Sequence, residues 1–379
     1  MKIEYYINKK KYDIKFCPDR EGIDTRKKTS SYTTIAKDLK RSYFDQKVLL
    51  VFDKKINKKI TKYVIHDLKI SFPKLSVLYI DGEKVNKDLK VLFKILDSFF
   101  DKKFTKKSIL VSCGGGVIGD VCGLASALYL RGLIHYNIPS TMTAIIDSCV
   151  GGKTAINYRG VINSIGTYYH SEKIYISKNI LNLLPLREFK AGIPEILKCG
   201  LIDKNPTIKL LRNKNIVISK NFNYVAKIIK HTLQTKIKFF QNDVYEEGKR
   251  LNLNFGHTFA HAIEMSLKNR NNKDAIRHGE AVGIGILCEI YYANGKDKNY
   301  YIAKEILNLY KLPINLKNFV KSSKINKTKK EIFNNIFLDK KRVNKFPRYI
   351  NLSQLGKSKV SEMRNFKRIK DTIDKIIFN

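Results

Sequence analysis

Apolar residues in this chain first recur in short runs and later at helical spacing. Lys2–Ile7 and Tyr12–Phe16 read as an opening hairpin. Lys47–Asp53 is a strand ending in a carboxylate, and Leu75–Ile80 is another, running into Asp81-Gly82-Glu83-Lys84. Asp88–Phe100 spaces its apolar residues as a helix does. Ser108–Cys113 is a strand-type run, followed at once by Gly114-Gly115-Gly116-Val117-Ile118-Gly119-Asp120 and then a helix rich in Ala and Leu to about Leu130. Strands at His135–Ile138, before Pro139-Ser140-Thr141, and at Lys173–Ile176 complete an alternation that predicts a mostly parallel sheet. Beyond about Leu181 the pattern is helical, over Tyr224–Phe240, Asn254–Leu267, Gly279–Asn294 and Ile302–Tyr310. Lys317–Lys330 reads as a solvated helix or loop, and there is no internal repeat.

The change of pattern divides the 379 residues into two expected domains, 1–178 and 179–379, with length enough for a sizeable core and a shared cleft. No apolar stretch approaches the ~18–20 residues of a membrane span, and Met1–Lys11 lacks a signal-peptide core. Six cysteines are scattered without CxxC pairs, as expected of reduced thiols in a cytoplasmic protein.

The net charge of +39 invites a nucleic-acid reading. Only 14 of the 73 basic residues are Arg, however, and lysines occur almost everywhere instead of clustering on one segment. Abundant Lys, Asn and Ile with no Trp is the signature of A/T-rich codons, so no specific nucleic-acid partner and no membrane partner is expected. Such a charge still raises the local concentration of anionic substrates.

Two segments carry chemistry. A strand, then glycines, then a helix start brings backbone N–H groups to a phosphate. The spacing GGGxxGD departs from GxGxxG, so the loop implies phosphate or pyrophosphate before any named cofactor, and a triple glycine alone is more often a turn. The other segment holds Glu195, His257, His261 and His278. His257 and His261 are four residues apart, on one face of a helix. Any one histidine is more simply a core or surface residue. Two histidines and a carboxylate, though, form a catalytic zinc set that leaves a position for water or substrate.

These strings in this order resemble 3-dehydroquinate synthase, a sugar phosphate cyclase. The matching blocks are GGGVIGD, Arg131-Gly132, DSCVGGKT from Asp147 to Thr154, PEILKCGLI from Pro194 to Ile202, LNFGHTFAHAIE from Leu253 to Glu264, and HGEAV from His278 to Val282. The resemblance implies a dehydroquinate synthase-like fold: an α/β Rossmann-like N-terminal domain binding NAD and an all-α metal-binding C-terminal domain. It also implies a cytoplasmic homodimer acting on a small phosphorylated sugar acid, 3-deoxy-D-arabino-heptulosonate 7-phosphate. Glu195, His257 and His278 match ligands of zinc, with cobalt as a substitute. His261 matches a histidine that faces substrate. Lys153, Lys198, Lys236, Arg250, Asn254, Arg131, Asp147 and Asn163 match polar groups around the substrate, and Lys340 and Lys341 match a tail block that adds a lysine to the phosphate pocket. Asp53, Asp81, Gly82, Glu83, Lys84, the run Gly115, Gly116, Val117, Ile118, Gly119 and Asp120, then Ser140, Thr141 and again Lys153, match NAD-binding positions.

The chain departs from that pattern in places. Ile162 stands where a lysine near NAD is usual, and Ile180-Leu181-Asn182-Leu183 lacks a usual threonine, which implies looser NAD binding. Pro194, Cys149 and Ala260 are milder changes. Two other readings remain: a cyclase making inosose or valiolone products, and a non-catalytic polyanion-binding protein with steep salt dependence. Lys236 and Leu253-Asn254 favour the heptulosonate enzyme.

Overall fold

The computed structural model describes residues 1–18, 35–38, 46–83, 87–267, 276–338 and 346–379. They form two compact units, Met1–Phe189 with Phe240–Tyr245, and Lys190–Phe239 with Glu246–Asn379. Helices of ten residues or more are numbered below. No described helix is long and apolar enough to cross a membrane.

The first unit is built on a seven-stranded sheet of β1 (Lys2–Ile7), β2 (Lys10–Cys17), β3 (Val48–Asp53), β4 (Leu75–Ile80), β5 (Ile109–Gly114), β6 (Ile134–Pro139) and β9 (Lys173–Ser177), in the order β1-β2-β9-β6-β5-β3-β4. Only β1–β2 is antiparallel, joined by Asn8 and Lys9 at φ 48 and 66. Positive φ at both turn residues matches the twist of the strands they connect. The other pairs run parallel, as the strand–helix alternation predicts. In β3 every residue from Val48 to Phe52 is buried, the mark of a strand covered on both faces. Helices α1 (Lys58–Ser71), α2 (Leu89–Asp101) and α3 (Gly116–Leu128) lie between these strands in sequence. Asp88 caps α2 by accepting from the Val91 N–H at 3.1 Å. One face of α2, carrying Leu92, Ile95 and Phe99, packs with Leu49, Val51 and the Ile118 and Val121 side chains of α3.

A second hairpin, β7 (Lys153–Tyr158) and β8 (Val161–Tyr168), was not legible in the sequence. Val161–Thr167 is exposed at every position, so no buried face imposed a period of two on it. The segment Phe240–Tyr245 returns to this unit from far along the chain. Phe240 packs edge-on against Tyr5, ring centroids 5.8 Å apart, and against His170 at 6.0 Å.

The second unit holds α4 (Ile193–Ile202), most of α5 (Phe222–Phe240), α6 (His257–Leu267), α7 (His278–Asn294), α8 (Lys298–Leu309) and α9 (Ile325–Ile336). The helix expected from Asn254 begins instead at His257, because Gly256 sits at φ 82 and ends a 3-10 turn over Lys249–Asn254. The lysine-rich stretch to Lys330 runs into α9, which buries Thr328, Ile332 and Ile336. The expectation of an all-helical unit needs one addition, the hairpin β10 (Arg348–Gln354) with β11 (Lys357–Glu362). Polar residues at most β11 positions hide its alternation.

Candidate metal and cofactor sites

In the first unit the parallel strands deliver the phosphate-type residues to neighbouring strand ends. Asp53 closes β3, and its Oδ1 accepts from the Lys55 N–H at 2.9 Å and from the Gly82 N–H at 3.4 Å. A Cβ on Gly82 would stand 2.2 Å from Asp53 Oδ2, so any other residue there would push this carboxylate out of its place. Asp81 accepts from the Glu83 N–H, and Glu83 pairs with Lys55. Gly115 is the N-cap of α3, and the Gly114 carbonyl accepts from the Ser140 N–H at 2.8 Å, which sets Ser140-Thr141 beside the glycine loop. Helix α3 thus begins without a side-chain cap, a start suited to an anion.

Asp120, one turn into α3, is partly buried, and that burial raises its pKa against the pull of the Lys87 ammonium that pairs with it. The same ammonium donates to Asn163 Oδ1 at 2.5 Å. Lys87 had no signal in the sequence, being one lysine among many. Lys153 opens β7 and is exposed, as is Ile162 in β8. Arg131 follows α3 at φ 60, and Asp147 lies in the turn Ala144–Ser148. Lys84, Lys340 and Lys341 lie outside the described residues.

In the second unit three helix starts converge. Glu195 is the third residue of α4, His257 the first of α6 and His278 the first of α7. Among the described residues these three are the group able to hold a metal ion, with one ligand atom from each within 4.8 Å of the others. Glu195 Oε1 lies 3.4 Å from His257 Nε2 and 3.6 Å from His278 Nε2. The outer nitrogens fix the rings. His257 Nδ1 lies 3.2 Å from the Phe255 carbonyl, and His278 Nδ1 lies 3.0 Å from Glu264 Oε2. Those oxygens accept, so each Nδ1 carries the proton and each Nε2 turns toward Glu195.

Burial, with the charge of Lys198, pushes His257 down to about 3, so its Nε2 is a lone pair facing a carboxylate. Burial also opposes charge on His278, but Glu264 and Glu195 lift it to about 9. Neither Glu195 oxygen accepts a hydrogen bond; burial raises its pKa, but Lys198, paired with Oε2, together with His257 and His278 outweighs that and holds the carboxyl well below its usual range. The His257 lone pair and the buried carboxylate repel unless a cation lies between them. Two imidazoles and one carboxylate suit zinc or cobalt.

His261 stands beside this group without joining it, its ring centroid 5.4 Å from that of His257. Glu264 closes the motif Leu253–Glu264, and the resemblance implies no role for it. It lies on the face of α6 shared by His257 and His261, seven and three residues on respectively, and that spacing was readable. Lys236 on α5 and Arg250 are both buried. Burial, then the charge of Arg250, pulls Lys236 down to about 7. Asn254 donates to Glu246 Oε1 at 2.6 Å. A buried lysine and arginine this near each other have the chemistry to take a multiply charged anion.

Residues 77–191 match the family model described as 3-dehydroquinate synthase N-terminal, and residues 192–342 match 3-dehydroquinate synthase C-terminal. The 3-dehydroquinate synthase of Clostridium tetani is 37% identical over 271 residues, 70% of each chain. That of Nitratiruptor sp. is 31% identical over 348 residues, 91% of this chain and 92% of its own. Among solved structures, a 2-deoxy-scyllo-inosose synthase in complex with carbaglucose-6-phosphate, NAD+ and Co2+ superposes with a TM-score of 0.83 at 22% identity, covering 100% of both chains. The 2-epi-5-epi-valiolone synthase of Streptomyces hygroscopicus, with NAD+ and Zn2+ bound, gives 0.78 at 20% identity over 96% of this chain and 95% of its own. At those identities the likeness is one of fold.

Proposed function

The chain belongs to the 3-dehydroquinate synthase family, and from that premise we propose which of its residues convert 3-deoxy-D-arabino-heptulosonate 7-phosphate into 3-dehydroquinate and phosphate. It is a phosphate-eliminating carbon–oxygen lyase of the shikimate pathway, in aromatic amino acid biosynthesis. The observation that carries the residue assignment is the buried carboxylate of Glu195, accepting no hydrogen bond and faced by two imidazole Nε2 atoms.

The domain 1–178 is the NAD domain and 179–379 the metal and substrate domain. NAD is held by Asp53, Asp81 to Lys84, Gly115 to Asp120, Ser140, Thr141 and Lys153. Zinc or cobalt is held by Glu195, His257 and His278. When bound, NAD takes up and returns a hydride at one carbinol while the metal is a Lewis acid toward vicinal hydroxyls. The protein's own groups do the rest. Phe255 and Glu264 keep both Nδ1 atoms protonated and so both Nε2 atoms turned inward. Lys198 neutralises part of the Glu195 charge from one helical turn away. Arg250 and Lys236, with Lys340 and Lys341, hold the phosphate that leaves by elimination once the neighbouring C–H has become acidic. Lys153, Asn254, His261, Arg131, Asp147 and Asn163 orient the sugar acid through hydroxyl and carboxylate contacts. The enzyme works as a homodimer in the cytoplasm.

Phosphate release from the heptulosonate phosphate, assayed with NAD and metal and with each withheld, tests this reading. Turnover should need both. Release that persists after both are removed would overturn it.

A further inference from the structure

We infer that Glu289 is the positioning residue that holds His257 in the metal site. This rests on the assignment of Glu195, His257 and His278 as metal ligands. His257 is the first residue of α6, so its placement is only as firm as that helix end, where backbone N–H groups have no partner inside the helix. The usual remedy is a capping side chain, and the residue at that place is Gly256, which has none.

Glu289 supplies the cap from α7. Its side chain is fully buried, and its carboxylate accepts from the backbone N–H of Gly256 and from that of Thr258 at 3.4 Å, on either side of His257. The other oxygen accepts from the Ile350 N–H of β10 at 2.8 Å. Gly285, one turn earlier on the same face of α7, brings the two backbones together: a Cβ there would lie 2.0 Å from the Gly256 carbonyl oxygen. Gly285 therefore lets α7 come close enough for Glu289 to reach that helix end. Burial lifts the Glu289 carboxyl to about 8 despite these N–H donors, so the group sits there at a cost that an apolar residue would avoid. The positive end of α6 partly offsets that cost. Since α7 itself begins at His278, Glu289 ties two ligand-bearing helix starts to one frame.

The test uses the full chain with Glu289→Gln and, as an isosteric variant free of buried charge, Glu289→Met. Zn2+ affinity is read by competition with a chromophoric chelator, geometry by the visible bands of the Co2+ form, and folding by thermal melting. Either variant should melt cooperatively, bind Zn2+ about ten- to a hundredfold more weakly, and shift the Co2+ bands. NAD affinity should not change. Folded variants with unaltered Zn2+ affinity and Co2+ bands would overturn the inference. Loss of the fold in both would overturn it as well, since the carboxylate would then hold the unit together and not the site. Failure of the unaltered protein to bind Zn2+ would instead refute the metal assignment itself.

Discussion

The Lys87 ammonium donates to Asn163 Oδ1 at 2.5 Å while it pairs with the carboxylate of Asp120. One side chain thus joins the approach to α2, the first turn of α3 and the β7–β8 hairpin. Removing it leaves Asp120 charged where burial already disfavours charge. Lys87→Met should lower stability by about 2–3 kcal/mol, below the range for a fully buried pair because the Asp120 side chain is 20% exposed. Lys87→Met combined with Asp120→Asn should recover most of that loss in denaturant unfolding. An unchanged midpoint in the single variant would remove the structural role given to this pair.

The metal assignment predicts that His257→Ala carries almost no zinc or cobalt, whereas the unaltered protein carries a single ion per subunit. Elemental analysis after identical purification reads this directly. Equal metal in both proteins would refute the ligand set.

Lys236 sets a pH dependence whose sign can be worked out. Its folded-state value is near 7, against an ordinary lysine value of 10.5 that the unfolded chain retains. Between those two values the unfolded state binds the extra proton, so this lysine favours folding more as pH rises. Below about 7 its penalty is constant. A bound phosphate reverses the preference, and the folded protein should take up a proton when phosphate binds at about pH 8. Calorimetry in two buffers of different ionisation enthalpy measures the uptake. Identical uptake in Lys236→Met would locate the proton elsewhere.

Arg250→Lys and Lys153→Ala should each lower kcat/KM by roughly two orders of magnitude, ~3 kcal/mol of transition-state stabilisation. Metal content should stay near its unaltered value in both variants, and NAD affinity in Arg250→Lys. A lysine cannot reproduce the planar fork of Arg250 on a phosphate or carboxylate. Turnover within a few-fold of the unaltered enzyme would place both residues outside the substrate pocket.

Ile162 is exposed in β8 beside Asn163, so a longer cationic side chain has room there. Ile162→Lys should tighten NAD by about 1 kcal/mol if one charge-assisted hydrogen bond is gained. Titration calorimetry showing equal or weaker binding would reject the idea that this substitution loosens the cofactor.

The parallel core was legible because β3 is apolar from Val48 to Phe52 and β5 from Ile109 to Val111, runs that burial on both faces explains. The two hairpins were not, since β8 and β11 have too little buried surface to impress a period on the sequence. The metal ligands stood out because histidine is rare here, at 7 residues in 379. Lys87 did not, because the property that distinguishes it is burial, and burial of one lysine cannot be read among dozens. Glu289 was hidden for a related reason. Its partners are backbone N–H groups, which no side-chain pattern records.

The contact of Tyr5 with Phe240 has a consequence for how the chain is made. Synthesis runs from the amino end, and domains generally fold as units during it. Here the first unit lacks Phe240–Tyr245 until the ribosome has already extruded Lys190–Phe239. Tyr5 and His170 must wait for their aromatic partner while α4 and most of α5 are outside, so the two halves cannot mature strictly one after the other. A nascent chain stalled just before Phe240 would expose that aromatic surface to chaperones, and one released just after Tyr245 would have it covered.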